Sequence, residues 1–355
     1  MIAKRQLLPV HRWAGLVICL FVLVQAATGA LLIYRTHLAE WLDPQGMTRA
    51  SSTGTAPISQ VIGAARGRFP GYAIEHVGFP QTERGVYLVH MLDAVGHSRL
   101  ASVDPGSAAV LRAGTIWSFP LEAALQIHYR LMTGRLGLAC VMLTGLGLLA
   151  QAVTGLWYWW PKAGRWRKSL AIEKGAPGRL LLRRLHRNVG VFAAVAAVFS
   201  AVTGLIVATE FFLAPGPLMP LRAAQDTTVG DFDAALARAR AIYPDRAVRD
   251  VRAPQPGRFD VYFWAPRVSP HAVDAVSLDP RNGSLLAVRP ARPGRAPWMV
   301  ILPIHTGDTF GVAGSAIVLI GGLALIALAV TGPIMWLQRP RPGGRSGPRR
   351  SSETP

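Results

Sequence analysis

Cysteine and charge are both scarce in this chain. Cys19 and Cys140 are the only cysteines among 355 residues, and both fall inside long apolar runs. That excludes a disulfide framework and a thiolate metal cluster. Charged residues make up only 16% of the chain against 51% hydrophobic ones, a balance outside the range of soluble domains. Dinucleotide and nucleotide fingerprints are missing too: no G-x-G-x-x-G follows a strand-like run, and there is no Walker loop. The chain therefore has no visible site for NAD(P)H or flavin. No Ser-His-Asp or H-E-x-x-H arrangement supports hydrolysis, and no carboxylate lies at the centre of an apolar run, which argues against a proton-coupled carrier.

Four apolar runs are long enough to cross a bilayer, which takes about 20 residues. They are Trp13–Tyr34, Leu136–Trp160, Val189–Phe212 and Val312–Leu337. Glu210 lies only at the far end of the third. Aromatic residues gather at the ends, among them Trp13, Tyr34, Trp157, Tyr158, Trp159, Trp160 and Trp336, as expected at the headgroup level. The formal charge of +19 is a topology signal rather than a nucleic-acid footprint. Nine basic residues stand against Glu173 alone between Trp160 and Arg187, whereas Arg35–Ile127 has seven basic and seven acidic residues. The positive-inside rule then puts both termini and the middle loop in the cytoplasm and both long connections outside. The first apolar run has a basic start like a signal peptide, but it is too long for one and its motif recurs internally, so it reads as a retained helix.

That recurring motif carries the chemistry. His11-Arg12-Trp13-Ala14-Gly15 with Thr28-Gly29 returns as His186-Arg187-Asn188-Val189-Gly190 with Thr203-Gly204, a shift of 175 residues in both places (186 − 11 and 203 − 28). His128 with Thr154-Gly155 returns at nearly the same offset as His305 with Thr331-Gly332. The repeat is parallel, unlike the inverted repeats of many transporters. By topology, His11 and His186 share the inner face, and His128 and His305 the outer. Two imidazoles from facing helices satisfy six-coordinate haem iron, so two levels imply two haem b groups. Haem iron held through His11, His186, His128 and His305 is the expectation. Arg12, Arg187, Arg130 and Arg135 are expected to pair with propionates. Gly15 and Gly190, four residues past their histidines, would let a flat macrocycle approach. The Thr-Gly pairs read as close helix-packing positions. His37, whose counterpart is Phe212, is an alternative outer ligand. His76, His90, His97 and His271 show no ligand-like repetition and read as surface residues.

The outward connections repeat as well. Helical Ile58–Phe69 ends at Phe69-Pro70-Gly71 and is followed by strand-like Tyr72–Phe79, Val86–Leu92 and Leu100–Val103 before Asp104-Pro105-Gly106. Helical Phe232–Tyr243 is followed by Val248–Ala253, Asp260–Ala265 and Ala272–Leu278 before Asp279-Pro280, and the two Asp-Pro turns are again 175 residues apart (279 − 104).

This pattern resembles the PepSY domain, and the His-Arg-x-x-Gly…Thr-Gly helices resemble the PepSY-associated transmembrane family over roughly residues 5 to 340. That family includes iron-regulated membrane proteins and haem-containing ferric siderophore reductases. The resemblance implies an all-α four-helix transmembrane bundle with two periplasmic α+β PepSY-like domains, in a bacterial inner membrane. The expected divisions are residues 1–34, 35–127, 128–160, 161–187, 188–212, 213–304, 305–337 and a basic tail at 338–355. The implied function is passage of electrons to a ferric siderophore or chelate, drawn from a cytoplasmic flavoprotein or a quinol. The partners are then membrane lipid and a ferric chelate, with no nucleic acid. Two rivals stay open: a non-enzymatic protein whose PepSY domains bind or regulate a periplasmic partner, and a small-solute or metal transporter.

Overall fold

The fold is known from a computed structural model, which describes residues 4–51, 54–172, 175–213, 231–255, 257–292 and 296–339. Most of the expected basic tail, from 340 onward, and residues 214–230 of the second outward segment lie outside them.

Helices and strands alternate in two blocks. The first block contains α1 (Lys4–Leu32), α2 (Arg35–Leu42), α3 (Pro44–Met47), α4 (Ile58–Arg68), β1 (Ala73–Gly78), β2 (Tyr87–Leu92), β3 (Ser98–Val103), β4 (Val110–Gly114), α5 (Pro120–Arg130) and α6 (Gly134–Trp159). After a short α7 (Trp166–Leu170), the second contains α8 (Gly178–Leu213), α9 (Phe232–Ile242), β5 (Val248–Gln255), β6 (Arg258–Trp264), β7 (Val273–Leu278), β8 (Leu285–Arg289), α10 (Trp298–Thr306) and α11 (Gly311–Leu337).

Four of these helices, α1, α6, α8 and α11, are long and apolar enough to cross a membrane. Their outward faces are bare hydrocarbon, with Val195 77% and Val312 79% exposed, as a lipid-facing surface requires. Small residues fill the interior: Ala152, Ala197 and Leu325 form its buried centre, and Gly321 lies against Ala196. Helices α1 and α8 each pack against both α6 and α11. Thus α1 and α8 stand on one diagonal of the bundle and α6 and α11 on the other.

The strands of the two expected PepSY-like segments lie side by side. All eight strands form one antiparallel sheet in the order β4-β3-β2-β1-β5-β6-β7-β8, joined where β1 pairs with β5. Helices α4 and α9 cover one face, and their Ile58, Val61, Ala65, Phe232, Leu236 and Ala239 share one core with Val77, Val89, Val251 and Val261. Burying those side chains contributes about 1.5–3 kcal/mol each for the larger ones. The opposite face looks toward the bundle. Expected strands match within two residues, apart from β4 and β8, whose half-exposed edge positions carry no clean alternation.

Helices two and four also start differently from expectation. His128 and His305 do not lie on α6 and α11 but on the short helices α5 and α10 that precede them. The chain reverses through Leu131, Met132 and Gly134 in one copy and Gly307 and Gly311 in the other, all at positive φ. The close return needs glycine: a Cβ on Gly137 would lie 1.7 Å from the Arg130 carbonyl oxygen, and one on Gly314 would lie 2.2 Å from that of Gly307.

Candidate functional site: paired histidines held by threonine

Each of the four repeated histidines is gripped by a Thr-Gly pair on another helix. His11 Nδ1 is 3.1 Å from Thr154 Oγ1, His186 Nδ1 2.7 Å from Thr331, His305 Nδ1 2.8 Å from Thr203, and His128 Nδ1 3.2 Å from Thr28. The adjacent glycine makes room for the ring. A Cβ on Gly29 would lie 2.9 Å from His128 Cε1, one on Gly155 3.1 Å from His11 Cε1, and one on Gly204 3.3 Å from His305 Cε1. Thr-Gly is therefore more than a packing motif: it is the seat of a histidine. The sequence held this signal, since every histidine-bearing segment is matched by one Thr-Gly, but not the pairing of seat with ring.

The hydrogen bonds fix the tautomer. Each threonine hydroxyl spends its one proton on a carbonyl a turn back in its own helix: Thr28 on Val24 (2.6 Å), Thr154 on Ala150 (2.6 Å), Thr203 on Phe199 (2.7 Å) and Thr331 on Ala327 (2.7 Å). The hydroxyl oxygen can then only accept from the imidazole. His128 Nδ1 also donates to the Gln25 carbonyl at 3.0 Å, an oxygen that only accepts. All four Nδ1 atoms are consequently the protonated ones, which leaves the Nε2 lone pair as the donor. Among the described residues no hydrogen bond reaches any of these Nε2 atoms. A metal-ligating histidine is commonly oriented in this way by a partner on its other nitrogen.

At one end of the bundle two of these rings meet. His128 and His305 have centroids 6.4 Å apart with planes inclined 43°. That separation would leave room for one metal ion held by both imidazoles, whose bonds to a metal run about 2.0–2.1 Å. The spacing fits a ring-bound metal, and both histidines line a cavity of about 1900 Å³ beneath the sheet, twice the upper range of about 300–1,000 Å³ for small-molecule pockets. His11 and His186 come from the other diagonal, α1 and α8, at the far end of the bundle. Seventeen residues separate His11 from Thr28 and His186 from Thr203 (28 − 11 and 203 − 186). The two levels are thus about 25 Å apart along the helices.

The other expected residues are placed as follows. Arg130 and Arg135 both line the cavity, but Arg135 donates to the Phe212 carbonyl at 3.0 Å, closing the end of α8. Arg187 donates to Asn188 at 3.1 Å and the Ala171 carbonyl at 3.4 Å, tying down the loop before α8. Arg12 stands beside His11 on the first turns of α1. A Cβ on Gly15 would lie 3.1 Å from Gln151 of α6 and one on Gly190 3.6 Å from Leu328 of α11, so both glycines meet a neighbouring helix. His37, on α2, lines the large cavity.

His76 and His90 are not surface residues. They pair across β1 and β2 with stacked rings, centroids 4.1 Å apart, on the sheet face that roofs the cavity. His271 Nε2–H donates to Asp308 Oδ2 at 2.7 Å, also at the cavity wall, while exposed His97 caps the turn at Asp93.

Four apolar helices joined to one strand-rich unit, with the space between them lined by histidines, define a membrane protein with a large cavity between its bundle and its sheet. The chain belongs to the PepSY-associated transmembrane family: the model of the PepSY-associated TM region matches residues 8–339, nearly its whole length. No curated protein matches it.

Proposed function

We propose that the protein is an inner-membrane electron-transfer protein that holds two haem b groups, one between His11 and His186 and one between His128 and His305. The observation that carries this reading is the common seating of four imidazoles, each with Nδ1–H held by threonine and Nε2 without a hydrogen-bond partner among the described residues. When bound, the group would supply reversible one-electron transfer. The protein's own part is to fix ring orientation, exclude water with apolar helix faces and leave the outer pair open to the cavity. The basic loop before α8 supports an inside location for the His11/His186 level, and the sheet then lies in the periplasm. Electrons would enter from a cytoplasmic flavoprotein or a quinol and leave to a ferric siderophore or other ferric chelate in the cavity. Reduction suits iron release, because hard oxygen ligands hold Fe(II) less tightly than Fe(III). The matched histidines, Thr-Gly seats and strand registers support descent of both halves from one duplicated unit.

The test is a reduced-minus-oxidised absorbance spectrum of protein purified from haem-replete cells. Bands of low-spin haem b are expected, and His11→Ala or His186→Ala should remove one centre and leave the other. A featureless spectrum overturns the reading. Ferric chelates should then oxidise the reduced protein in stopped flow.

A further inference from the structure

The roof of the cavity carries a second group of donors. Glu75, His76 and His90 each offer one ligand atom, all within 4.8 Å of one another. Their convergence has a cause in the strand pairing. Ile74 faces Met91 and His76 faces His90, which leaves Glu75 as an extra residue, a β-bulge in β1. Neighbours on a regular strand point to opposite faces, whereas a bulge re-aims one of them. Here it brings Glu75 to the side of His76 and His90, away from the core that receives Val77 and Val89.

The chemistry of the three matches a metal site better than a proton relay or an ion pair. Desolvation pushes the Glu75 carboxyl up and the His90 imidazole down; it pushes His76 well below its ordinary value, with His90 adding to the effect. Two neutral imidazoles stacked face to face keep their lone pairs, and a cation would stabilise the carboxylate that burial disfavours. The guanidinium groups that act on the three are engaged elsewhere as well: Arg130, the charge felt most by Glu75, donates to Gln126 and lies over the Tyr129 ring, Arg249 and Arg252 both hold Asp250, at 2.9 and 2.7 Å, and Arg35 lies 3.7 Å from Glu122. Donors sharing one ion with bonds of about 2.1 Å stand roughly 3–3.5 Å apart, so small side-chain rotations close the set.

We infer that Glu75, His76 and His90 bind one divalent first-row transition-metal ion at the roof of the cavity. Two imidazoles and one carboxylate, with remaining positions open, are a donor set suited to Fe(II). The site itself stands independently of the redox function; its assignment to Fe(II) released in the cavity rests on that function. An ion leaving the chelate near His128 and His305 meets these donors within the same chamber, so the roof receives what the floor reduces.

The experiment uses the full chain in detergent, stripped by chelator and kept under argon. Co(II) and Fe(II) are titrated calorimetrically, and bound metal is counted separately from haem iron. One equivalent per chain is expected, with affinity falling roughly tenfold or more in Glu75→Gln and in His90→Asn. Elution profile and any haem spectrum should stay unchanged in both variants, which shows that the fold survives. No binding by the parent chain, or equal binding by parent and variants, overturns the inference. Metal bound without haem would sink the proposed function and the link to Fe(II) released in the cavity but leave the site; haem without this metal would sink the inference alone.

Discussion

The bundle and the sheet differ in how far their two halves match. In the bundle the four histidines and their seats recur in both halves: histidine matches histidine and Thr-Gly matches Thr-Gly. In the sheet the backbone is copied and the chemistry is not. Ile74 and Val248 face Met91 and Phe263, each followed by one bulged residue, Glu75 in β1 and Arg249 in β5. The next pair is His76 with His90 in one copy and Asp250 with Tyr262 in the other. There Arg249 and Arg252 neutralise Asp250, and Arg252 lies 4.7 Å from the Tyr262 ring centre. The difference follows from symmetry. Each facing histidine pair draws one ring from each half, so losing either copy empties the site. Glu75, His76 and His90 all come from one half, and the other half is free to change.

The most damaging way to break this comparison is at the reversals before α6 and α11. Gly137→Ala and Gly314→Ala should fail alike, since each Cβ would enter the space of a backbone carbonyl that cannot rotate away. The cost should reach or exceed the roughly 1–3 kcal/mol typical of overpacking. Membrane yield and thermal stability in detergent check it. A well-folded Gly137→Ala would show that α5 and α6 are not locked as described.

Next come the histidine seats, where the copies are alike in kind but unequal in room. Gly29→Ala places a Cβ 2.9 Å from His128 Cε1, whereas Gly332→Ala finds His186 Cε1 at 3.7 Å, an ordinary contact. Under the proposed function, Gly29→Ala should lose or shift the outer haem, and Gly332→Ala should leave both spectra intact. Gly155→Ala and Gly204→Ala, at 3.1 and 3.3 Å, should fall between. Equal effects at all four would refute the seat geometry.

Much of this was legible in the sequence because periodicity and repetition are local. Long apolar runs placed α1, α6, α8 and α11, and alternation placed most strands. Three things were not legible. Fusion of two units through β1 and β5 depends on strand edges, which no local pattern labels. The His76–His90 stack needs cross-strand register, and it is set by a bulge at Glu75 that looks like any strand residue. The break between His128 and α6 hides in Leu131-Met132, whose positive φ is imposed by tertiary packing rather than by residue type. Gly134 and Gly137, copied at Gly311 and Gly314, were the available clue.

In the sheet, the copied Asp-Pro turns should prove unequal. Asp104 accepts from the backbone of Ala50, Ser51, Gly106 and Ser107 at 2.6–3.0 Å and from both serine hydroxyls. Burial alone would raise its pKa, but the hydrogen bonds from Ser51, Ser107 and Ala50 outweigh that and hold it well below the usual 3.8. Asp279 depends on Arg281, whose hydrogen bonds bring it to about 2. A carboxylate depressed in the folded state stabilises fully above its unfolded pKa, and that contribution is lost as pH falls below about 4. Asp104→Asn should therefore cost about 1.5–3 kcal/mol at neutral pH and flatten the acid limb of a thermal melting series. Asp279→Asn should cost less, since its partner is an exposed arginine.

The finest test lies within the outer histidine pair. Thr203 is the one described acceptor for His305 Nδ1, whereas His128 Nδ1 keeps the Gln25 carbonyl at 3.0 Å when Thr28 loses its hydroxyl. Removing a partner that orients a metal-bound imidazole typically weakens the metal about 10–100-fold. Under the proposed function, Thr203→Val should fall in that range for the outer haem, and Thr28→Val should fall below it, because the same tautomer remains enforced. Haem retention against an apo-globin acceptor measures both. If Thr28→Val proved the more severe, the Gln25 carbonyl would not be the working partner of His128, and the two halves of the outer pair would be seated by one device rather than two.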